Sequence, residues 1–96
     1  MPSTTTSMVF FYVYVLESLK DGKRYIGYTS DLRRRIEEHQ KGKSYSTRPR
    51  LPMKLIYFEA CTNKEDAERR EGYLKTTGGR KFLVKRLRSY YKKSKL

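Results

Sequence analysis

The first strongly patterned stretch is "VFFYVYVL" (Val9 to Leu16), in which every residue is β-branched, aliphatic or aromatic. An unbroken run of this kind predicts a central strand covered on both faces, because a strand with one wet face would alternate apolar and polar. Asp21-Gly22 then reads as a tight hairpin turn, and "RYIGY" (Arg24 to Tyr28) as the returning strand. After "TSD", with Thr29 or Ser30 as N-cap and Asp31 in the first turn, "LRRRIEEHQK" reads as a helix stopping at Gly42. Residues 43 to 52, "KSYSTRPRLP", form a basic loop broken by Pro49 and Pro52. "KLIYFEA" (Lys54 to Ala60) is a third strand. Thr62 and Glu65 then form a capping box for a helix "DAERREGYLK" that ends before Gly78-Gly79. The last stretch carries Phe82, Leu83, Leu87 and Tyr90 at helical spacing before dissolving into lysines. The expectation is an α+β chain of order ββαβαα: a leader over 1–8, one domain over 9–91 and a basic tail over 92–96.

Alternation puts Tyr12, Tyr14 and Leu16 on one face of the first strand. A two-residue Asp21-Gly22 turn pairs even with odd positions, so Tyr14, Tyr25 and Gly27 lie on one side. A glycine there leaves a gap where a side chain would have stood. Two phenols beside a notch are compatible with a site, and equally with aromatic packing under a helix. In the following helix, Leu32 and Ile36 mark the inward stripe, with His39 close to it, Arg35 on its border and Arg34 pointing away. Arg33 and Arg34 have Glu37 and Glu38 four residues on, as a solvated salt-bridged face would. Arg35 either pairs back to Asp31 or leans with His39 over the notch, where both would suit a phosphate. In the next helix, Ala67 and Leu74 mark the inward stripe with Glu71 between them. An inward carboxylate needs a partner, which is either a surface pair with Lys75 or a cation. One carboxylate, waters and a substrate phosphate suit Mg²⁺.

Composition sharpens this reading. The 96 residues carry 23 Lys and Arg against 10 Asp and Glu, a formal charge of +13, which attracts polyanions. Hydrophobic residues make up only 36% of the chain, but nine Tyr and four Phe supply large rings for a thin core. No stretch pairs a basic helical face with a broad apolar one, which argues against membrane-surface binding. Cys61 is the only cysteine, so an internal disulfide and a thiolate zinc site are both excluded, in keeping with a reducing, cytoplasmic setting. "MPSTTTSM" has neither the charged nor the apolar region of a signal peptide. Two tyrosines, an arginine, a histidine and one acid in a basic body are a kit for phosphodiester hydrolysis. A divalent metal and Arg35 would stabilise the phosphorane-like charge, and a tyrosine would orient or deprotonate the attacking water. A base role requires neighbouring cations to lower the tyrosine pKa from about 10.

These residues, in this order, resemble the GIY-YIG endonuclease domain, above all its small single-domain members related to the excinuclease C N-terminal module. The first motif stands as "YVY" (Tyr12 to Tyr14), with Tyr12 in place of glycine; the second is intact as "YIG" (Tyr25 to Gly27). The family arginine falls at Arg35, its histidine at His39 and its glutamate at Glu71. The resemblance runs from about Val9 to Leu87. It implies a three-stranded antiparallel sheet flanked by helices and one divalent ion, Mg²⁺ or Mn²⁺, on Glu71. Tyr14 would be the water activator or proton shuttle, and Tyr25 and Arg35 would hold the scissile phosphate. The loop "GKSYSTRPR" resembles the family's basic loop, so Lys43, Tyr45, Arg48 and Arg50 would touch the nucleic-acid backbone. The implied partner is DNA, in nicked, branched or damaged form, with repair as the setting and weak sequence preference. A catalytically idle binding module of the same fold is the alternative: the asparagine that many members carry after the last motif has no counterpart here, Asn63 being the only asparagine.

Overall fold

The computed structural model describes residues 9–94. The expected leader over 1–8, and positions 95 and 96 of the expected tail, lie outside the described residues. Three strands, β1 (Phe11–Ser18), β2 (Arg24–Thr29) and β3 (Met53–Cys61), form an antiparallel sheet in the order β2-β1-β3. The helices are α1 (Leu32–Gln40), α2 (Lys64–Leu74), α3 (Thr77–Arg86) and α4 (Arg88–Ser94), with a single 3-10 turn at Arg48–Arg50. None of the described helices is long and apolar enough to cross a membrane.

The apolar run of β1 is central and covered on both faces, as its lack of alternation requires. Val13 and Val15 pack with Ile26, Ala67, Leu74 and Leu83 under α2 and α3. Tyr14 and Leu16 pack with Met53, Tyr25, Leu32 and Ile36 under α1. The hairpin loop is longer than a two-residue turn: Ser18 N–H donates to the Lys23 carbonyl at 2.8 Å, and Gly22 takes a φ of +74°. The register is therefore displaced by two from that of a two-residue turn at Asp21-Gly22. A displacement of two preserves parity, so Tyr14, Tyr25 and Gly27 still share one face, while the partners change: Tyr14 opposes Gly27 and Leu16 opposes Tyr25.

Several boundaries differ from the sequence expectation for local reasons. Asp31, not Thr29 or Ser30, caps α1, its carboxylate accepting the Arg34 N–H at 3.2 Å. Asn63, not Thr62, caps α2 by accepting from Asp66 at 3.0 Å. In both loops an Asx side chain stands one residue closer to the helix than the expected Thr or Ser, and Asx residues cap at least as well. No ion pair joins Arg33 to Glu37, because Glu38 collects both Arg34 and Arg35.

α2 ends at Leu74, before Gly78-Gly79 as expected, but the two glycines open a further helix, lying in the first turn of α3, which Thr76 caps. The final stretch is two helices, so the order is ββαβααα. Gly79 is buried where a Cβ would stand 2.1 Å from the Tyr73 carbonyl oxygen and 2.4 Å from the Leu74 Cα. Its role is to let α3 turn tightly against the end of α2. Arg70 fixes the rotation of α2 by a bidentate pair to Glu59 on β3, at 2.8 and 2.9 Å. Arg70 and Glu71 flank the Ala67–Leu74 stripe on opposite sides, so holding Arg70 on β3 turns Glu71 toward β2.

This contact makes a prediction about two adjacent glycines. Gly79→Ala should lower stability by about 3 kcal/mol in urea unfolding, since only backbone movement can relieve the overlap. Gly78→Ala, whose nearest contact would be 3.6 Å away, should be neutral or stabilising by up to about 1 kcal/mol. Equal effects at the two positions would contradict the packing described.

Candidate active site

The notch expected beside Gly27 is not open: the ring of Tyr14 fills it, as aromatic packing under α1 requires. A Cβ at Gly27 would meet the Tyr14 Cζ and Oη at 2.4 Å, so the phenol lies directly across the β2 backbone. From there its hydroxyl reaches α1. Arg35 Nε, which can only donate, gives its proton to Tyr14 Oη at 3.3 Å. The phenol oxygen is also hydrogen-bonded to His39 Nε2 at 2.9 Å. The other ring nitrogen, Nδ1, is hydrogen-bonded to Thr47 Oγ1 at 2.7 Å. Tyr25 borders the same cluster, its ring centroid 5.1 Å from the His39 ring and 6.3 Å from that of Tyr14.

Tyr14, Tyr25, Arg35 and His39 thus stand together on the α1 side of the sheet, with Tyr14 and His39 almost wholly buried. Arg35 does not pair with Asp31, which is engaged as a cap; its Nη1 meets Glu38 at 3.0 Å. Glu71 is half-buried and its charge is felt at Tyr14, so it belongs to the same neighbourhood. Of the two partners weighed for it, the structure shows the pair with Lys75, whose ammonium lies 3.2 Å from its carboxylate. The basic loop divides. Tyr45 is the most exposed large ring at 85%, with the Arg48 guanidinium 5.4 Å above it. Lys43 is exposed beside them, whereas Arg50 turns away toward the hairpin, held within 3.8 Å of Asp21.

The GIY-YIG catalytic domain matches residues 10–84 of the chain, a span that includes Tyr14, Tyr25, Arg35, His39 and Glu71. The chain belongs to the GIY-YIG family. Among its relatives is a UPF0213 protein of Streptococcus pneumoniae serotype 4, 52% identical over 65 residues, or 67% of this chain and 65% of that protein. The match therefore spans just under two thirds of that relative's length. UPF0213 protein SAG0778 of Streptococcus agalactiae serotype V is 49% identical over 67% of this chain and 73% of its own. The solution structure of UPF0213 protein BH0048 from Bacillus halodurans superposes with a TM-score of 0.51 at 42% identity, covering 79% of this chain and 83% of that one.

The electrostatics of this GIY-YIG cluster follow from its burial. The Tyr14 phenol is pushed up to about 12, chiefly because burial penalises the phenolate; the Arg35 hydrogen bond opposes this, and the charges of Tyr25 and Glu71 add to it. The condition set for a base role, that neighbouring cations lower the tyrosine, is thus not met at Tyr14. Burial also works against the Arg35 cation, but its hydrogen bonds to Tyr14 and Glu38 prevail and hold it above its ordinary value. His39 is pushed down to about 4 by burial and by the Arg35 charge, and stays neutral. Thr47 escaped the sequence reading. It sits in an aperiodic loop, eight residues past His39, and only the fold shows that its hydroxyl is buried against the imidazole.

Because the folded-state pKa of His39 lies below its unfolded value of about 6.5, the folded chain resists protonation there. Stability from this source is complete above pH 6.5 and is lost as pH falls toward 4, by about 3 kcal/mol in all. The chain has one histidine, so its single ring resonance in NMR should titrate near pH 4. A midpoint between 6 and 7 would mean that the ring is not enclosed as described.

Proposed function

We propose that the chain is a divalent-metal-dependent endonuclease that hydrolyses phosphodiester bonds in DNA, with little sequence preference and with nicked, branched or damaged forms as favoured substrates. The observation that carries this reading is the Arg35–Tyr14–His39 chain of hydrogen bonds, laid over Gly27 with the Glu71 carboxylate nearby, in a body of charge +13. Among the described residues no group of three or more His, Cys, Asp or Glu could cage a metal. A lone, half-buried carboxylate fits a hard, hydrated cation such as Mg²⁺ or Mn²⁺, which keeps its waters and shares a substrate phosphate. Glu71 would hold that ion, which supplies charge for the developing oxyanion and acidifies a bound water.

The remaining work falls to side chains. Arg35, with Nε on Tyr14 and Nη1 on Glu38, keeps Nη2 for a phosphate oxygen. Tyr25 flanks that position. Tyr14 accepts a proton from the attacking water while passing its own to His39 Nε2; the low proton affinity of His39 makes this a transient transfer. Tyr45, Arg48 and Lys43 would lie along the backbone outside the site, gripping phosphates without reading bases. One observation favours the second reading, a binding module that does not cut: with Glu71 occupied by Lys75 and the Tyr14 proton firmly held, the resting site is unready for hydrolysis.

Supercoiled, nicked and branched DNA incubated with Mg²⁺ or Mn²⁺, against EDTA, separates the two. Cleavage should need metal, and Glu71→Gln and Arg35→Lys should each lose about 100-fold or more while still binding DNA. Since Tyr14 keeps its proton up to about pH 12 and His39 is neutral above about pH 4, the relay is in its active form throughout pH 6 to 9, so this pair should add no pH dependence to the rate there, and Tyr14→Phe should lose the rate. Binding with no cutting in any metal selects the idle module. Undiminished cutting by the variants indicates a foreign nuclease.

A further inference from the structure

A cavity of about 610 Å³ opens at the outer edge of β2, beyond the tyrosine cluster, and is within the size range of ligand sites. Five cations line it from separate parts of the fold: Lys23 from the hairpin loop, Arg24 from β2, Arg50 from the basic loop, Lys75 after α2 and Arg80 from α3. No acidic side chain lines it. Lys23 and Arg80 meet no carboxylate within ion-pair distance among the described residues. Arg50 is the decisive member. Its Nε and Nη2 are enclosed without a hydrogen-bond partner, Asp21 being too far at 3.8 Å to accept one. Its backbone is fixed independently, because the buried Ser18 hydroxyl donates to the Arg50 carbonyl at 2.6 Å. Five cations converging from separate elements with no acid in the lining, one of them an arginine with unpartnered donors, form a cradle for an oxyanion.

Two contacts join this cavity to the cluster. Tyr25 lines the cavity while its ring packs on His39. Lys75 lines it while its ammonium holds Glu71. We propose that the cavity is a second phosphate site, which seats the sugar–phosphate backbone of the substrate strand beside the phosphate presented to Tyr14 and Arg35. Lys75 then moves from Glu71 to the seated phosphate and releases the carboxylate. This deepens the reading of a phosphodiester substrate and rests on it. It also makes the strand itself the agent that readies the site: an anion in the cavity competes for the cation that otherwise neutralises the acid.

The test is binding, read in EDTA so that hydrolysis plays no part. A short fluorescein-labelled DNA strand is titrated by anisotropy at several salt concentrations, with wild type, the Lys23→Gln/Arg80→Gln pair, and a control Lys64→Gln/Lys85→Gln pair that makes the same charge change elsewhere. The cavity pair should weaken binding at least about tenfold and flatten the dependence of log K on log salt by about 1 to 2 units, one phosphate contact per side chain. The control pair should leave the slope near that of wild type. Equal losses in the two pairs, or an unchanged slope in the cavity pair, would overturn the proposal. So would a nucleoside monophosphate that competes as well as the strand, since the cavity would then serve a small ligand. A wild type that binds with this signature but never cuts fails the hydrolytic reading alone.

Discussion

The close passage of the Tyr14 ring over the backbone of Gly27 is the contact on which the rest of the site depends. A tyrosine in the middle of a central strand ordinarily ends among its cross-strand neighbours. Here the opposite residue has no side chain, so the phenol extends across β2 and its hydroxyl emerges at α1. Everything downstream uses that position. The hydroxyl meets Arg35 and His39 one turn apart on α1, and His39 meets Thr47 on the loop that follows. A strand, a helix and a loop are thereby tied through one oxygen atom. A side chain at position 27 would displace that oxygen and separate all three.

The same burial that builds the cluster also quiets it. Enclosure holds Tyr14 protonated and His39 neutral, so the pair stores neither charge nor a ready base. Lys75 neutralises Glu71, and Arg34 and Arg35 neutralise Glu38. In a chain with 13 more positive than negative side chains, this is the low-energy arrangement when no polyanion is present. In the proposed function a phosphate strand would reverse the balance, because it would satisfy several cations at once, Lys75 among them. The basic surface and the resting state of the site are in this sense two consequences of one charge distribution.

Much of this was legible in the chain, and for identifiable reasons. The strands followed from the apolar runs, and the shared face of Tyr14, Tyr25 and Gly27 followed from parity alone, which is why a wrong turn length did no harm. His39 and Arg35 were placed by helical spacing from Leu32 and Ile36. The misses have a different character. Asp31 and Asn63 displaced the expected caps because two adjacent residues could do the work and only backbone geometry decides between them. Gly78-Gly79 looked like a terminator, yet Gly79 is required by the approach of α3 to α2, a tertiary contact with no local signature. Thr47 and the cavity at the edge of β2 depend on contacts between separate elements, which periodicity cannot bring together.

Tyr12 shows how the requirement for a small residue can be argued position by position. It stands where the family motif carries glycine, yet it faces Ala60 and Thr29 across the sheet and packs its ring 6.1 Å from that of Phe58. No ring crosses its backbone as Tyr14 crosses Gly27, and no helix abuts it as α2 abuts Gly79. A side chain at position 12 therefore costs the site nothing and adds an aromatic contact on a half-open stretch of the sheet. At positions 27 and 79 a single methyl group would overlap atoms already in place. What constrains this fold is thus the space that neighbouring atoms leave at each glycine, and a motif letter matters only where that space is absent.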